Sequence, residues 1–223
     1  MRKVFHIIVL LFCSLAASAQ RHDQPNNLIL AYGIDQNAVD DLNSVFGGLG
    51  HEFFPLSFMG LQVDGKIGRM WDIESLSDWD GEWFKIGDYN ISATYTILSA
   101  TPRLYLVLDD DEDGFWALFL EYSVGAWRMW GDGRFRDPDG NSYSGLGDTR
   151  FQYFQGMALG VRARLSHRVS SMLSLGGNNI SYNKYINSIQ FNTPTEIERP
   201  GLRGALIIGV GLSISMWPEK KKH

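Results

Sequence analysis

The chain is poor in the residues that most activities rely on. It has one cysteine, Cys13, within the first twenty residues, so a chain trimmed of that segment can form no disulfide and offers no thiol nucleophile. Basic residues are outnumbered, with Lys+Arg 20 against Asp+Glu 25 and a formal net charge of −5, which argues against nucleic acid as a partner. Beyond the N-terminal segment no apolar run is long enough to cross a membrane as a helix. Stretches with a 3.6-residue period are scarce. There is no G-x-S-x-G, H-E-x-x-H or phosphate-cradling glycine loop.

What the N-terminus does have is an export signal. MRKVFHIIVLLFCSLAASAQ begins with a basic region at Arg2 and Lys3. A short apolar core follows over Val4–Leu15, and then the A-x-A site Ala17-Ser18-Ala19. Cleavage after Ala19 is expected, and a retained anchor is the alternative. Phe12 precedes Cys13 where a lipoprotein signal needs a small residue, so lipidation is not expected. Loss of Arg2 and Lys3 takes the net charge from −5 to −7. The remaining residues 20–217 suit one domain, with a short basic tail over 218–223.

Glycine is plentiful at 24 residues and aromatics make up 13%. Both occur within segments of two-residue period, the period of a strand. In Leu202–Trp217 the residues Leu206, Ile208, Val210, Leu212, Ile214 and Met216 alternate with Gly209, Gly211, Ser213 and Ser215. One face is large and apolar; the other is small rather than charged, which fits the crowded inside of a narrow barrel. Seven further segments can be read: Leu28–Ile34, Val45–Phe54, Ser57–Trp71, Tyr89–Asp109, Trp116–Trp130, Phe151–Leu165 and the weaker Val169–Tyr182.

The apolar phase of Tyr89–Asp109 slips near Ile97 and Leu98. One strand, with the slip a bulge near Pro102 or the point where the strand leaves the membrane, and a hairpin broken at Ser99–Pro102 are both compatible with it. The connections favour one strand. Gaps 35–44, 72–88, 131–150 and 183–201 are long and polar and alternate strictly with the short gaps 55–56, 110–114 and 166–168. Long outer loops and short periplasmic turns are the outer-membrane pattern. The expected fold is all-β, an eight-stranded antiparallel up-and-down transmembrane barrel. A soluble periplasmic sandwich or lipocalin-like barrel is the alternative. The charges Asp64, Lys66, Glu121, Arg162 and Arg164 fall on the inward phase opposite an apolar outward phase, the reverse of a soluble barrel. Tyr32, Phe53, Trp71, Trp116, Trp130, Tyr153 and Trp217 at strand ends suit interfacial girdles.

With the strands placed, the chain resembles the small outer-membrane β-barrel proteins of the Bacteroidetes, relatives of the OmpA/OmpX-like eight-stranded group. The residues that carry the resemblance are the Ala-Ser-Ala-Gln signal end, the hairpin VFGGLGHEFFPLSFMGLQVDGKIGRMW, the pair GMALGVRARLSHRVSSMLSLGG and the glycine-rich last strand. The family usually ends on an aromatic residue, whereas here Trp217 is followed by residues 218–223. The resemblance implies an outer-membrane barrel and carries no catalytic motif.

Two groups of residues are functional candidates. Glu52, Asp64, Lys66, Glu121, Arg162, Arg164 and Arg203 point into one lumen, together with Phe46, Phe119, Trp127 and Phe154. Charges buried there must pair, which makes them a plug; a polar conduit or gate is the other reading. The long loops carry Trp79, Trp83, Phe84, Phe135, Tyr143, Tyr185, Ile189 and Phe191. These can contact a protein or glycan outside the cell, or pack on one another above the barrel. No metal or cofactor is expected: Asp109–Gly114 begins like a calcium loop, but Leu120 stands where the bidentate Glu belongs, and Asp137–Asn141 reads as a turn. His167 and Ser170 sit at a short periplasmic turn and His51 beside Glu52, so no Ser–His–acid set converges. The partners expected are outer-membrane lipid and a contact at the loops. A small ion or solute channel is the runner-up function, and a lipid-modifying enzyme a more distant one.

Overall fold

The computed structural model describes residues 26–36, 43–56, 58–79, 83–111, 114–166, 168–192 and 205–216. Residues 1–19, where a cleaved signal is expected, Arg203, His167, Trp217 and residues 218–223 lie outside these residues. The elements in chain order are β1 (Asn26–Gln36), β2 (Asn43–Leu56), β3 (Met59–Trp79), β4 (Trp83–Asp111), β5 (Gly114–Arg136), β6 (Ser142–Asp148), β7 (Gln152–Arg164), β8 (Val169–Asn178), a short helix α1 (Tyr182–Ser188), β9 (Gln190–Phe191) and β10 (Ala205–Ser215).

Eight of these strands form a closed, antiparallel, up-and-down barrel in the order β1-β2-β3-β4-β5-β7-β8-β10. β10 returns to β1 along a continuous ladder from Asn27↔Ser215 to Gln36↔Leu206. Closure pairs every barrel strand on both sides and leaves no open edge. The two-residue alternation then sorts the side chains. Leu30, Leu49, Val63, Leu98, Leu118, Leu159, Leu173 and Val210 are exposed on the outside, while Ile29, Phe46, Phe119, Trp127, Phe154 and Arg162 are buried within. Tyr32, Phe53, Trp71, Trp116, Trp130 and Tyr153 are exposed on the outer surface.

The inside is filled by a cross-strand rule. Gly33 stands opposite Phe46, Gly68 opposite Tyr95, Gly160 opposite Phe119 and Gly125 opposite Phe154. A Cβ on any of these four glycines would run into the ring facing it. Each of these four aromatics therefore occupies the space that a side chain on the facing strand would fill. Gly209, Gly211, Ser213 and Ser215 of β10 leave similar room on the wall they form.

Tyr89–Asp109 lies within a single strand, β4, and of the two accounts of its phase slip the bulge near Pro102 is absent. The β3–β4 register is unbroken from Met59↔Leu104 to Leu76↔Gly87, with Pro102 opposite Leu61. The β4–β5 register is the same at Ala100↔Val124 and Arg103↔Glu121, and only the two rungs at Thr101 and Pro102 are missing. Proline has no N–H to give to β5, and the ladder spans the gap. The irregularity lies instead between Val107 and Asp109. The phase slip has another origin: Ile91, Ala93, Tyr95 and Ile97 are inward yet apolar, because this half of the lumen is an apolar core.

The chain also extends beyond the barrel at the end with the long connections. β3 and β4 continue as a hairpin to Trp79↔Trp83, and β5 continues to Arg136 with β6 folded back on it. The strand expected over Val169–Tyr182 stops at Asn178, whose Oδ1 accepts a bond from Ile180 N and turns the chain into α1.

The glycine rule yields a paired test. Gly160→Val places carbon against the Phe119 ring and Leu173 O and should cost about 1–3 kcal/mol or prevent folding. Gly47→Ala, whose Cβ meets nothing within 4 Å, should stay within about 0.5 kcal/mol of the parent. Denaturant titration of the refolded barrel measures both.

Candidate functional site

Alternation along six strands aims a set of polar side chains at one level of the lumen. Glu52 of β2 is at its centre, 0% exposed. Its Oε1 accepts from Tyr105 OH at 2.6 Å and from Arg103 Nη1 at 3.4 Å, and its Oε2 accepts from Arg162 Nη1 at 3.1 Å. Arg103 Nε also donates to Glu121 Oε2 at 2.7 Å, and Arg162 Nη2 to Ser213 Oγ at 2.7 Å. With its amide oxygen turned toward the guanidinium, Asn27 accepts from Arg162 Nη2 at 3.0 Å. The Arg103 guanidinium lies 5.1 Å from the Phe119 ring centre; that of Arg162 lies 5.9 Å from Phe54 and 5.8 Å from Tyr105. Two carboxylates thus face two guanidiniums, and the group is formally neutral. Neutrality and multiple hydrogen bonds are the conditions under which such charges tolerate burial.

Of the seven lumen residues singled out in the sequence, Glu52, Glu121 and Arg162 meet here. Asp64 and Lys66 pair with each other instead, Nζ to Oδ2 at 3.2 Å, with Ser99 Oγ donating to Asp64 Oδ1 at 2.8 Å and the ammonium 5.6 Å from the Phe46 ring. Arg164 lies two residues beyond Arg162 on the same face of β7. Sequence reasoning missed Arg103 and Tyr105. The signal was there: with Leu104, Leu106 and Leu108 outward, the residues between them must point in.

A cavity of about 90 Å³ lies between this cluster and the rings of Phe46 and Phe154, bounded on one side by Gly156, Gly209, Gly211 and Ser174. Gln62 lines it, 2% exposed, with its Oε1 lacking a hydrogen-bond partner among the described residues.

Above the cavity the lumen is apolar, and a cap completes it. Gly131 pairs with Gly147 and Gly133 with Gly145 across the β5–β6 extension. The four glycines form a socket for α1: a Cβ on Gly147 would stand 2.7 Å from Ile189 Cγ1 and 2.9 Å from Tyr185 Cε2, and one on Gly133 2.9 Å from Ile189 Cδ1. The Tyr185 hydroxyl reaches the carbonyl oxygens of Ser92 and Asp132 at 3.4 and 3.5 Å. β9 adds two rungs, Gly145↔Phe191 and Leu146↔Gln190.

Of the two readings of the loop aromatics, outside contact or packing on one another, the described ones follow the second. Phe135, Tyr185 and Ile189 are buried, Phe191 packs against them, and Tyr143 stacks on Phe135 at 6.4 Å. The apolar mouth of the barrel consumes these rings. The side chains of Trp79, Trp83 and Phe84 lie outside the described part. At Asp137–Asn141 there is a turn, with Gly140 at φ +88°. Bonds from Asn141 Nδ2 and N to Asp137, at 2.8 and 2.7 Å, hold its carboxyl below the usual carboxylate range.

A closed eight-stranded up-and-down barrel, apolar outside and ion-paired within, is the class of molecule these features define. Among solved structures the chain is similar to Neisserial surface protein A (NspA), with 10% identity and a TM-score of 0.46 over 86% of this chain and 96% of that one. It is also similar to Ail, the attachment invasion locus protein of Yersinia pestis, with 11% identity and a TM-score of 0.38 over 85% and 97%. Ail in complex with the heparin analogue sucrose octasulfate gives 12% identity and a TM-score of 0.36. No protein-family profile and no curated protein sequence matches the chain.

Removing Glu52 should take the shared carboxylate from between two buried guanidiniums, of which Arg103 keeps Glu121. Glu52→Leu is expected to lower the unfolding free energy by about 3–5 kcal/mol in a denaturant titration; a loss below 1 kcal/mol would show that the cluster does not hold the barrel. Tyr185→Ala should free the cap alone. Limited proteolysis should then cut within 179–192 while the barrel strands stay protected, whereas an unchanged digest would mean that the socket is not what retains α1.

Proposed function

We propose that the protein is a non-enzymatic outer-membrane barrel with a plugged lumen, exported by its N-terminal signal, that works as a structural or accessory subunit through the surface at its long-connection end. The observation that carries this reading is the neutral Glu52–Arg103–Glu121–Arg162 cluster, sealed inside a cylinder whose outer wall is apolar. A soluble barrel has no use for that inversion, and a bilayer requires it. Closure meets the second requirement of lipid, since it satisfies the backbone of every spanning strand internally. On this reading the hairpin turns face the periplasm, and the cap, the β5–β6 extension and the β3–β4 hairpin face outward. A rigid scaffold with ordered projections is suited to binding.

The cavity beside Gln62 favours a second reading, a narrow conduit for ions or small solutes whose selectivity is set by Arg103, Glu121 and Arg162. Planar-bilayer recording separates the two. A plugged barrel should give no sizeable steady conductance. A large, stable pore whose ion selectivity shifts in Arg162→Ala would replace the plug with the conduit. Affinity purification from solubilised outer membranes tests the accessory role: a stoichiometric co-purifying protein is expected, and recovery of the barrel alone would count against that role.

A further inference from the structure

The pairing of an inward glycine with an inward ring lapses along one wall of the lumen. Gly33, Gly68, Gly125 and Gly160 each face a ring that takes the space of a Cβ. Gly209 and Gly211 of β10 do not. Within 4 Å a Cβ on Gly209 would meet only Ser174 Oγ, at 2.6 Å, and one on Gly211 would come closest to the Met172 methyl carbon, at 2.9 Å. The cavity of about 90 Å³ lies against this wall. Its far side carries Gln62 of β3, which stands four strands from the β8 of Ser174 in the ring of eight. Gln62 is 2% exposed, and its Oε1 has no hydrogen-bond partner among the described residues. Leaving a buried acceptor unmatched is costly, so this oxygen asks for a donor from outside the chain.

We propose that the cavity is a binding site for a small neutral hydroxylic molecule, about the size of a two-carbon diol. Three features select that chemistry. The charges at and beside the cavity cancel: Lys66 pairs with Asp64, Arg103 with Glu52 and Glu121, and Arg162 with Glu52, so three cations face three carboxylates. An ion would bring an uncompensated charge into a neutral, buried site. The polar groups stand on opposite walls, Gln62 on one and the Ser174 hydroxyl on the other, with the rings of Phe46 and Phe154 and the Met172 side chain between. A hydroxyl at each end and carbon in the middle matches that order, and a mostly apolar lining with a few placed polar groups is the ordinary make-up of a small-molecule site. Size sets the limit. A cavity of about 150 Å³ admits benzene, so about 90 Å³ takes roughly four heavy atoms. The site stands whether the barrel is plugged or conducts, because a molecule can be held without being passed.

The test uses the full chain refolded into detergent micelles, with its methionine methyl groups labelled with carbon-13 and ethylene glycol as the probe. The Met172 methyl borders the cavity and is the reporter; Met216, exposed on the outside, is the control. Titration should shift the Met172 signal saturably and leave Met216 on a linear solvent trend. Gln62→Leu, which removes the acceptor at similar volume, should weaken the apparent affinity about tenfold. Ser174→Leu fills the cavity from the other wall and should abolish the saturable shift. A Met172 signal that follows the same linear trend as Met216 means that the cavity holds water alone or stays dry, and overturns the proposal with the wild-type chain alone. Unchanged affinity in Gln62→Leu, or a saturable shift that survives Ser174→Leu, overturns it as well. Bilayer conductance decides the plug separately, so either reading can fail without the other.

Discussion

The bore of an eight-stranded barrel is the constraint from which the rest of this structure follows. Eight strands enclose a space only wide enough for their own side chains, and nothing outside can help fill it. Every inward position is therefore a volume problem solved across the sheet. Phe46, Phe119, Tyr95 and Phe154 each need a neighbour without a side chain, and Gly33, Gly160, Gly68 and Gly125 supply it on the facing strand. Interiors packed this way tolerate little change in either direction. The many glycines are the complement of the many aromatics, not loop residues that happen to lie in strands.

The same bore explains why charge is inside at all. An apolar outer wall uses one phase of every strand, and the other phase must still be distinguishable from it, or the register can slip by one residue and turn the barrel inside out. Charged residues at Glu52, Arg103, Glu121 and Arg162 fix the phase of β2, β4, β5 and β7, because none of the four could face outward without its partners. Their mutual bonds, all at 3.4 Å or less, then make burial tolerable. Glu52 is the hub because its carboxylate reaches both guanidiniums. A group of this kind serves specificity of register at least as much as stability.

The sequence made the barrel legible where the two phases differ in polarity. In β10, β5 and β7 the outward leucines and the inward glycines and arginines can be separated by counting alone. Legibility fails where the difference vanishes. Ile91–Ile97 is apolar inward because it meets the cap, so the alternation fades and imitates a bulge at Pro102. Asn43–Ser44 and Gly131–Arg136 extend past the apolar band, where neither face has to be greasy, and they read as loop. Arg103 and Tyr105 were hidden for a different reason: Pro102 interrupts the strand pattern just before an inward phase that Leu104 and Leu106 fix. The α1 segment could not be read as a helix at all, since seven residues give too few turns for a period to show.

The cap shows that the packing rule does not stop at the barrel rim. Gly145 stands opposite Phe191 on β9, and Gly131, Gly133 and Gly147 complete a bed for Tyr185 and Ile189. This repeats, outside the cylinder, the pairing of glycine with a bulky side chain used within it. The upper core therefore runs without a break from Phe46 and Trp127 through Met129 to Tyr185 and Ile186. A loop built as a continuation of the core is ordered by the same contacts that hold the strands, so whatever surface it presents is fixed before any partner arrives. Preformed surfaces avoid the ordering cost that a flexible loop meets on binding. Among the described residues, that leaves the polar top of the cap and Leu146 at 77% exposure, rather than the buried rings, as the solvent-facing surface of this end.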